Sequence, residues 1–346
     1  MSPRNLSLSG SLARLRGRDG EGVLVVTIAV LSIVVGFKSS SFWSVPTALN
    51  IASATVENLV FAMAVLLVII SGGIDVSFMA IGIFAGYSVV ILQNNTGFAA
   101  GSAPIAFLVA AGIGICLGLL NAVPIASLGL PTLIVTLGTQ GIIRGLLLAY
   151  VGSKVIPQYP AGLNSLSTTY LITSRGAVGD TRLNVLVIPA ILICVAMSLL
   201  LRYTVFGRSV YAIGGDAESA RRIGFPVVRT QVMIYVLAGG LAAVAGLMHV
   251  TQVRLANPYE LVGGELDVIA AVVLGGASIF GGKGSVSGTV LGVVLISLIK
   301  NSLILLGVPG TWQRAAVGML LIVGISIQAL SARERRRHGD FVEVTA

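Results

Sequence analysis

Several ionisable side chains stand within or beside long apolar runs of this sequence, among them Glu57, Asp75, Arg144 and His249. Such groups are costly in a low-dielectric interior and often mark ion or substrate pathways. Two chemistries are open to Asp75: contact with a pathway or gate, or, together with Ser77, capping of the helix that follows. We expect Glu57 and Arg144 to neutralise each other or Asp75, with snorkelling of Arg144 to an interface as the alternative. His249 has no spacing partner and is interpreted as an interfacial residue, not a ligand.

Catalytic motifs are absent from the sequence. It has no HExxH or GxSxG pattern, and only two histidines. The segment Gly281–Gly284 (GGKG) resembles a phosphate-binding loop, but Lys283 is followed by glycine and residue 277 is alanine where that motif needs glycine. Cys116 and Cys194 lie in apolar runs without metal or disulfide spacing. We therefore predict that the chain is not an enzyme, holds no metal and hydrolyses no ATP by itself.

The composition points to a membrane as the solvent. Hydrophobic residues make up 55% of the 346, charged residues 10%, and the net charge is +9. Mean hydropathy is +0.98. Thirteen of the 22 basic residues fall in three patches, at 4–18, 202–229 and 333–337, each next to apolar runs. This is the positive-inside pattern rather than a nucleic-acid-binding face, so we expect all three patches to be cytoplasmic.

The apolar runs predict an all-α, polytopic membrane protein. About ten are long enough, or nearly so, to span a bilayer: 23–38, 52–71, 76–92, 104–128, 131–151, 186–202, 227–250, 266–280, 285–307 and 312–331. An even number of spans places both termini and the segment 203–226 inside, and the loops 93–103 and 152–185 outside. The predicted organisation is therefore a basic cytoplasmic tail (1–22), a transmembrane domain (23–331) and a cytoplasmic tail (332–346).

Two glycine clusters interrupt the apolar runs, SGGIDVS at 71–77 and LGGASIFGGKG at 274–284. Paired interruptions in corresponding halves of a chain are typical of broken helices in transporters. The first could instead be a tight turn between helices at the membrane surface. Candidate pathway or gate residues are Gly72, Gly73, Asp75, Ser77, Glu57, Arg144, Gly275 and Gly276.

The segment 204–225 (TVFGRSVYAIGGDAESARRIGF) is unusually polar and glycine-punctuated for this chain. It predicts a short cytoplasmic helix from Asp216 to Ile223, opened by Gly214 and Gly215 and capped by Asp216. We expect Gly215 to adopt a backbone geometry that a side chain would obstruct, and Ala220 to lie on the helix face that meets a soluble partner. The alternative is a merely solvated basic loop.

Four motifs resemble those of the permease subunits of bacterial ABC sugar importers, the ribose/xylose/galactose type that includes autoinducer-2 permeases. They are SGGIDVSF (71–78), PTLIVTLGTQGIIRG (131–145), the segment 204–225, and ELDVIAAVVLGGASIFGGKGSVSGT (265–289). The resemblance implies a permease of about ten helices in the bacterial inner membrane that pairs with a second permease copy or paralogue. It also implies a cytoplasmic twin-cassette ATPase, which binds the ATP and Mg²⁺, and a periplasmic solute-binding protein. No cofactor would be bound by this chain.

The same resemblance assigns 203–226 as the ATPase-coupling loop, with Phe206, Gly207, Arg208, Tyr211, Gly214, Gly215, Asp216, Ala220, Arg221 and Gly224 as its residues. Two positions depart from the family pattern: Met79 replaces a common glycine and Asp216 a common asparagine. The expected solute is a neutral, sugar-like polyol. The competing hypothesis is an ion-coupled secondary transporter with Asp75 or Glu57 as the proton-coupling carboxylate.

Overall fold

The computed structural model describes residues 21–176, 179–310, 312–319 and 322. The predicted basic tails and the later part of the last predicted span lie outside these residues. Within them, seven helices are long and apolar enough to cross a membrane, and one bent helix pair could supply an eighth. The predicted helical, polytopic fold is confirmed, whereas the count of about ten spans is not.

The helices follow the predicted apolar runs closely. In chain order they are α1 (Glu21–Lys38), α2 (Val45–Ile70), α3 (Phe78–Thr96), α4 (Ala103–Leu128), α5 (Thr132–Leu146), α6 (Ala161–Thr168), α7 (Val187–Tyr203), α8 (Val205–Gly215), α9 (Ala217–Arg222), α10 (Val227–Val253), α11 (Glu265–Leu274) and α12 (Val286–Leu305). A 3₁₀ turn (Ser40–Trp43) precedes α2, and a π-helical turn (Leu147–Val151) extends α5. Residues 312–319 are also helical.

Small residues let the central helices approach closely. α10 packs against α2, α3 and α4. A Cβ atom built on Gly114 of α4 would lie 2.3 Å from the Gly239 carbonyl oxygen of α10, and one on Gly246 would lie 2.0 Å from the Gly82 carbonyl oxygen of α3. Van der Waals packing through small residues is the main source of helix association in a bilayer. The abundance of glycine in this chain therefore serves close packing at these crossings.

α11 is a half-length helix. Its ten residues rise about 15 Å, half of the roughly 30 Å hydrocarbon core. The interruption predicted from the glycine cluster at 274–284 is seen here, because Gly275 and Gly276 end the helix and Gly276 has a left-handed φ of +92°. α11 packs tightly on α12, where a Cβ on Gly292 would lie 1.9 Å from the Ala271 carbonyl oxygen.

The long loop predicted at 152–185 contains structure that the sequence analysis did not foresee. Besides α6, it forms an antiparallel hairpin of β1 (Tyr170–Gly176) and β2 (Gly179–Asn184). β2 packs against α2, where the Ser53 hydroxyl donates to the Arg182 carbonyl oxygen at 3.2 Å. The hairpin is thereby fixed to one of the most buried helices of the molecule.

The segment predicted as a coupling loop is a pair of helices, α8 and α9. α8 bends away from α7 by 74°. Thr204 caps it, since its hydroxyl accepts a hydrogen bond from the Gly207 amide at 3.0 Å. Gly214 and Gly215 directly precede the Asp216 cap of α9, as predicted, but they are also the last two residues of α8, a helix that the sequence analysis did not foresee.

Candidate functional site

Three glycine-containing segments meet at one point: the end of α2 (Ile70–Gly73), the end of α8, and the loop 281–284. The Gly282 amide donates to the Ile70 carbonyl oxygen at 2.8 Å. The Tyr211 hydroxyl of α8 donates to the Gly284 carbonyl oxygen at 2.8 Å. The two glycine clusters that interrupt the apolar runs, at 71–77 and 274–284, therefore both contact the segment predicted to couple to an ATPase.

Glycine is required at this junction for two separate reasons. A Cβ on Gly214 would lie 1.7 Å from the Ile70 carbonyl oxygen and 2.6 Å from the Gly282 amide nitrogen. Gly72, Gly281 and Gly282 have φ values of +85°, +85° and +72°, a region that side chains disfavour. Three backbones thus pack directly on one another, with no side chain between them to absorb a displacement.

Asp75 lies in the turn that leads from this junction into α3. It is only 3% exposed, and its Oδ1 accepts hydrogen bonds from the Ser77 amide and the Ser77 hydroxyl, both at 2.7 Å. The Ser77 hydroxyl accepts in turn from Asn121 Nδ2 at 2.7 Å, and Thr139 donates to Asn121 Oδ1. In the described ranges no cation forms an ion pair with Asp75. Asp75 thus closes a turn onto Ser77, the residue before α3, but no side chain caps the first amides of α3, so the predicted capping by Asp75 and Ser77 is not seen; a part in gating stays a prediction.

The expected pairing of Glu57 and Arg144 with each other or with Asp75 is wrong. Arg144 Nη2 lies 2.6 Å from Glu265 Oε1, which also accepts from Gln140 Nε2 at 2.8 Å. The side chain of Glu265 is 10% exposed, so this pair fixes α5 to the start of α11. Gln140 and Arg144 are four residues apart and share one helix face, but the sequence does not reveal which carboxylate that face meets.

His249 is not the solitary interfacial residue that the sequence suggested. Its Nδ1 lies 2.8 Å from Glu57 Oε2, and its Nε2 lies 3.0 Å from Glu260 Oε2. The imidazole thus joins α2, α10 and the loop that precedes α11. Glu260 and Glu265 are the partners that the sequence analysis missed.

Two of the other predicted gate glycines have packing roles. A Cβ on Gly73 would lie 2.7 Å from the Tyr235 hydroxyl oxygen of α10. A Cβ on Gly275 would lie 2.6 Å from the Gly288 carbonyl oxygen of α12. Both glycines allow close helix contacts next to the junction.

The short helix α9 has the predicted cap. Asp216 Oδ1 accepts from the Glu218 amide at 3.0 Å, and Oδ2 accepts from the Ser219 hydroxyl at 2.6 Å. These bonds, that from the Ser219 hydroxyl foremost, lower the pKa of Asp216 below its ordinary value of 3.8. Arg221 and Arg222 in the last turn both pair with Glu218.

The face of α9 that can meet a partner is not the one expected. Ala220 is 2% exposed and packs with Ile213 and Val227, so its predicted partner contact is wrong. The exposed residues are instead Glu218, Ser219, Arg221, Arg222 and Ile223, the last of them 73% exposed. A small apolar contact holds α9 on the protein while its charged face points outward.

The remaining coupling-segment residues divide between packing and exposure. Gly215 has no atom within 4 Å of a built Cβ and no left-handed φ, so the steric requirement expected there belongs to Gly214. A Cβ on Gly207 would lie 2.3 Å from the Leu201 carbonyl oxygen, and Gly224, with φ +94°, ends α9. Phe206 is half-buried against the core, and Arg208 is exposed.

Comparisons with known proteins agree on a permease. The autoinducer 2 import system permease protein LsrC of Salmonella typhi is 33% identical over 304 residues, which cover 87% of this chain and 83% of that protein. The protein of the same name from Escherichia coli (strain K12 / DH10B) is 32% identical over 300 residues, 86% of this chain and 83% of that protein. No solved structure matches the chain. Residues 47–325 match the family described as branched-chain amino acid transport system / permease component, and the chain therefore belongs to that family of transport permeases.

Proposed function

We propose that this chain is the permease subunit of an ABC importer and forms the translocation path for a sugar-like solute. The observation that carries the proposal is a sequence identity of 33%, over 87% of the chain, to a permease of an autoinducer 2 import system. The protein itself would catalyse no reaction, and ATP and Mg²⁺ would be bound by a separate cytoplasmic ATPase. A second permease copy or paralogue and a periplasmic binding protein complete the proposed assembly.

The charge pattern favours a neutral solute over an amino acid, which the family description names. An amino acid brings a carboxylate that needs a cation in a low-dielectric site. Two cations deep in the described spans, Arg144 and Lys300, are each already paired, with Glu265 and Asp267; Arg314, at the start of the last predicted span, forms no ion pair among the described residues. A neutral polyol requires hydrogen bonds only, so these paired charges do not hinder its passage.

The proposed coupling surface is the outward face of α8 and α9. Displacement of α8 by an ATPase would press directly on the end of α2 and on the loop 281–284, because the three backbones are in contact. In this arrangement both chain termini and α9 are cytoplasmic, and the β1–β2 hairpin lies on the periplasmic side, where the binding protein would dock.

Uptake by cells that contain the permease, its ATPase and its binding protein tests the proposal. We expect ATP-dependent accumulation of at least one of autoinducer-2, ribose, xylose or galactose in preference to leucine. It should persist when an uncoupler removes the proton gradient while ATP is maintained. Uptake that collapses with the uncoupler would instead support the ion-coupled transporter.

A charge reversal on α9 tests the coupling surface. Arg221→Glu/Arg222→Glu should abolish uptake and copurification of the ATPase at normal permease abundance. Arg229→Glu, an exposed cation at the start of α10 outside α9, is the matched control and should retain both. Equal activity of the two variants would remove the coupling assignment.

A further inference from the structure

The imidazole of His249 is held between two carboxylates. Its Nδ1 lies 2.8 Å from Glu57 Oε2 on α2, and its Nε2 lies 3.0 Å from Glu260 Oε2 in the loop between α10 and α11. All three side chains are largely buried by this chain itself, with exposed fractions of 13% for His249, 19% for Glu57 and 25% for Glu260. A surrounding membrane could only bury them further.

This geometry selects one protonation state of the ring. An ionised carboxylate only accepts hydrogen bonds, and a neutral imidazole has a single N–H to donate. The two ring nitrogens can therefore both donate to a carboxylate only when the ring is a doubly protonated imidazolium. In that state, one positive charge lies between two negative charges and makes two charge-assisted hydrogen bonds.

The surrounding groups leave this role to His249 alone. In the part of the chain that the structure describes, neither Glu57 nor Glu260 is bonded to any other cation. The other charged side chains on the neighbouring elements are bonded to partners outside the cluster or lie clear of it: Arg144, Arg254, Glu265, Asp267, Lys300 and Arg314. The neighbouring tyrosines, which are uncharged below about pH 10, are Tyr87, Tyr159 and Tyr259. Histidine is the side chain of this set whose charge ordinarily changes near neutral pH.

The bond to Glu260 fixes a segment that has few other ties. Residues 257–264 turn on themselves, since the Glu260 amide donates to the Asn257 carbonyl oxygen at 3.2 Å. In the described ranges, the bond between Glu260 and His249 is the only hydrogen bond that joins this segment to an element other than α11, which follows it directly. The preceding residue Ala256 is fixed separately, because it pairs with Ile156 through two backbone hydrogen bonds of 2.9 and 3.0 Å.

The backbone of the same segment favours release. Leu261, directly after Glu260, has a φ of +62°, in the left-handed region that residues with a side chain disfavour. Such a conformation persists only where the surrounding structure holds it. Because Glu260 is the adjacent point of attachment, breaking its bond to His249 would allow Leu261 to relax.

We infer that His249 is a proton-operated latch: its imidazolium holds the segment 257–264 closed, and loss of one proton to water releases the segment. The neutral ring keeps its Nδ1–H on Glu57, which is fixed in α2. Its Nε2 then turns a lone pair toward the ionised carboxylate of Glu260, and the repulsion moves Glu260, the partner that stands in a loop.

The latch lies at the same end of the molecule as the β1–β2 hairpin. Arg254, which ends α10 just before the segment, donates to the Tyr170 hydroxyl of β1. In the orientation proposed above, this end is periplasmic, so the latch would respond to the pH outside the cell. The protonation and release of the segment are properties of this chain alone and do not depend on that orientation.

Nitrogen NMR of the ring tests the protonation state. The chain has only two histidines, His249 and His338, so His338→Gln leaves a single imidazole to observe. In this variant, purified in detergent with ¹⁵N-labelled histidine, both ring nitrogens should carry a proton at about pH 6, and the tautomer protonated at Nδ1 should replace this form as the pH rises. A neutral ring at about pH 6, or a ring still doubly protonated at about pH 10, would overturn the latch.

Hydrogen exchange tests the release of the segment. The protection of residues 258–264, relative to the unfolded chain at the same pH, should fall at least about tenfold as the ring loses its proton, whereas that of Ala256 should not change. His338→Gln is the matched control and should keep this pH dependence. Protection of the segment that is independent of pH would overturn the latch.

Two variants of the latch should give opposite results. His249→Gln carries its donors on one side only and cannot join both carboxylates, so the segment should be poorly protected at every pH. In Glu260→Gln the new amide can donate to Nε2 of a neutral ring, so the segment should stay protected as the pH rises. The same loss of protection with pH in Glu260→Gln as in the original protein would overturn the latch, even if His249→Gln fails to fold. Neither measurement uses the ATPase or the binding protein, so its failure is distinguishable from a failure of ATP-driven uptake.

Discussion

The backbone junction at Gly214 makes a sharp prediction. Contacts of a Cβ atom below 3.0 Å essentially never occur, and a methyl group here would lie 1.7 Å from the Ile70 carbonyl oxygen. Gly214→Ala must therefore push α8 away from the end of α2 by at least about 1.3 Å. Overpacking of this kind costs about 1–3 kcal/mol. Loss of the bond from Gly282 to Ile70 costs about 1 kcal/mol, which the better helix propensity of alanine roughly offsets.

Gly214→Ala should consequently lower stability by about 1–3 kcal/mol and abolish binding-protein-stimulated ATPase activity in proteoliposomes. Thermal unfolding in detergent reports the first effect, and phosphate release reports the second. Gly215→Ala is the control, because a Cβ there meets nothing within 4 Å; it should be active, with stability within about 1 kcal/mol of the original. A Gly214→Ala protein with unchanged stability and coupled ATPase activity would refute the reasoning.

Three further predictions concern single side chains. Asp75→Ala removes the acceptor for the Ser77 amide and hydroxyl and should lower the free energy of unfolding by about 1–3 kcal/mol. Asp75→Asn keeps an acceptor oxygen and should retain uptake. An asparagine variant that assembles normally but does not transport would show that the negative charge of Asp75 has a role. Arg144→Met leaves Glu265 buried without its cation and should lower the free energy of unfolding by about 3–5 kcal/mol, as measured by thermal unfolding. The double variant Arg144→Met/Glu265→Gln should recover much of that loss. No recovery would show that the two side chains are not energetically coupled. Because the pKa of Asp216 is lowered in the folded protein, its ionised carboxylate stabilises α9 above pH 3.8, and this effect is lost as pH falls through the lower folded pKa. The protection of residues 217–222 against hydrogen exchange, relative to the unfolded chain, should therefore fall over that pH range. In Asp216→Asn the protection should lack this pH dependence.

The helices were largely predictable because apolar length is a local property. The run at 104–128 differs from α4 by one residue, and Gly129 ends that helix with φ +66°. α11 shows the limit of the same reasoning. Its apolar run continues past residue 274, so hydropathy alone does not mark the end of the helix; the glycine cluster at 274–284 does, and it is the signal that predicted a broken helix.

The contacts of the candidate site were much less predictable, because they join distant parts of the chain. Arg144 and Glu265 are 121 residues apart, and nothing in either local pattern identifies the other. The same holds for the adjacent glycines 214 and 215: only the position of Ile70 decides which of them is packed. The cap at Asp216 was predictable, since its hydrogen bonds lie within three residues.

The construction of α2 has a mechanical consequence. From Thr47 to Ile70 this helix contains neither glycine nor proline, the usual sites of bending. Its Ser53 holds the hairpin, and Ile70 touches α8, about 26 Å further along the same axis. α2 is therefore a stiff helix with the hairpin in contact near one end and α8 in contact at the other. If the binding protein docks on the hairpin as proposed, a displacement there would be carried along α2 to α8 without a glycine or proline hinge between them.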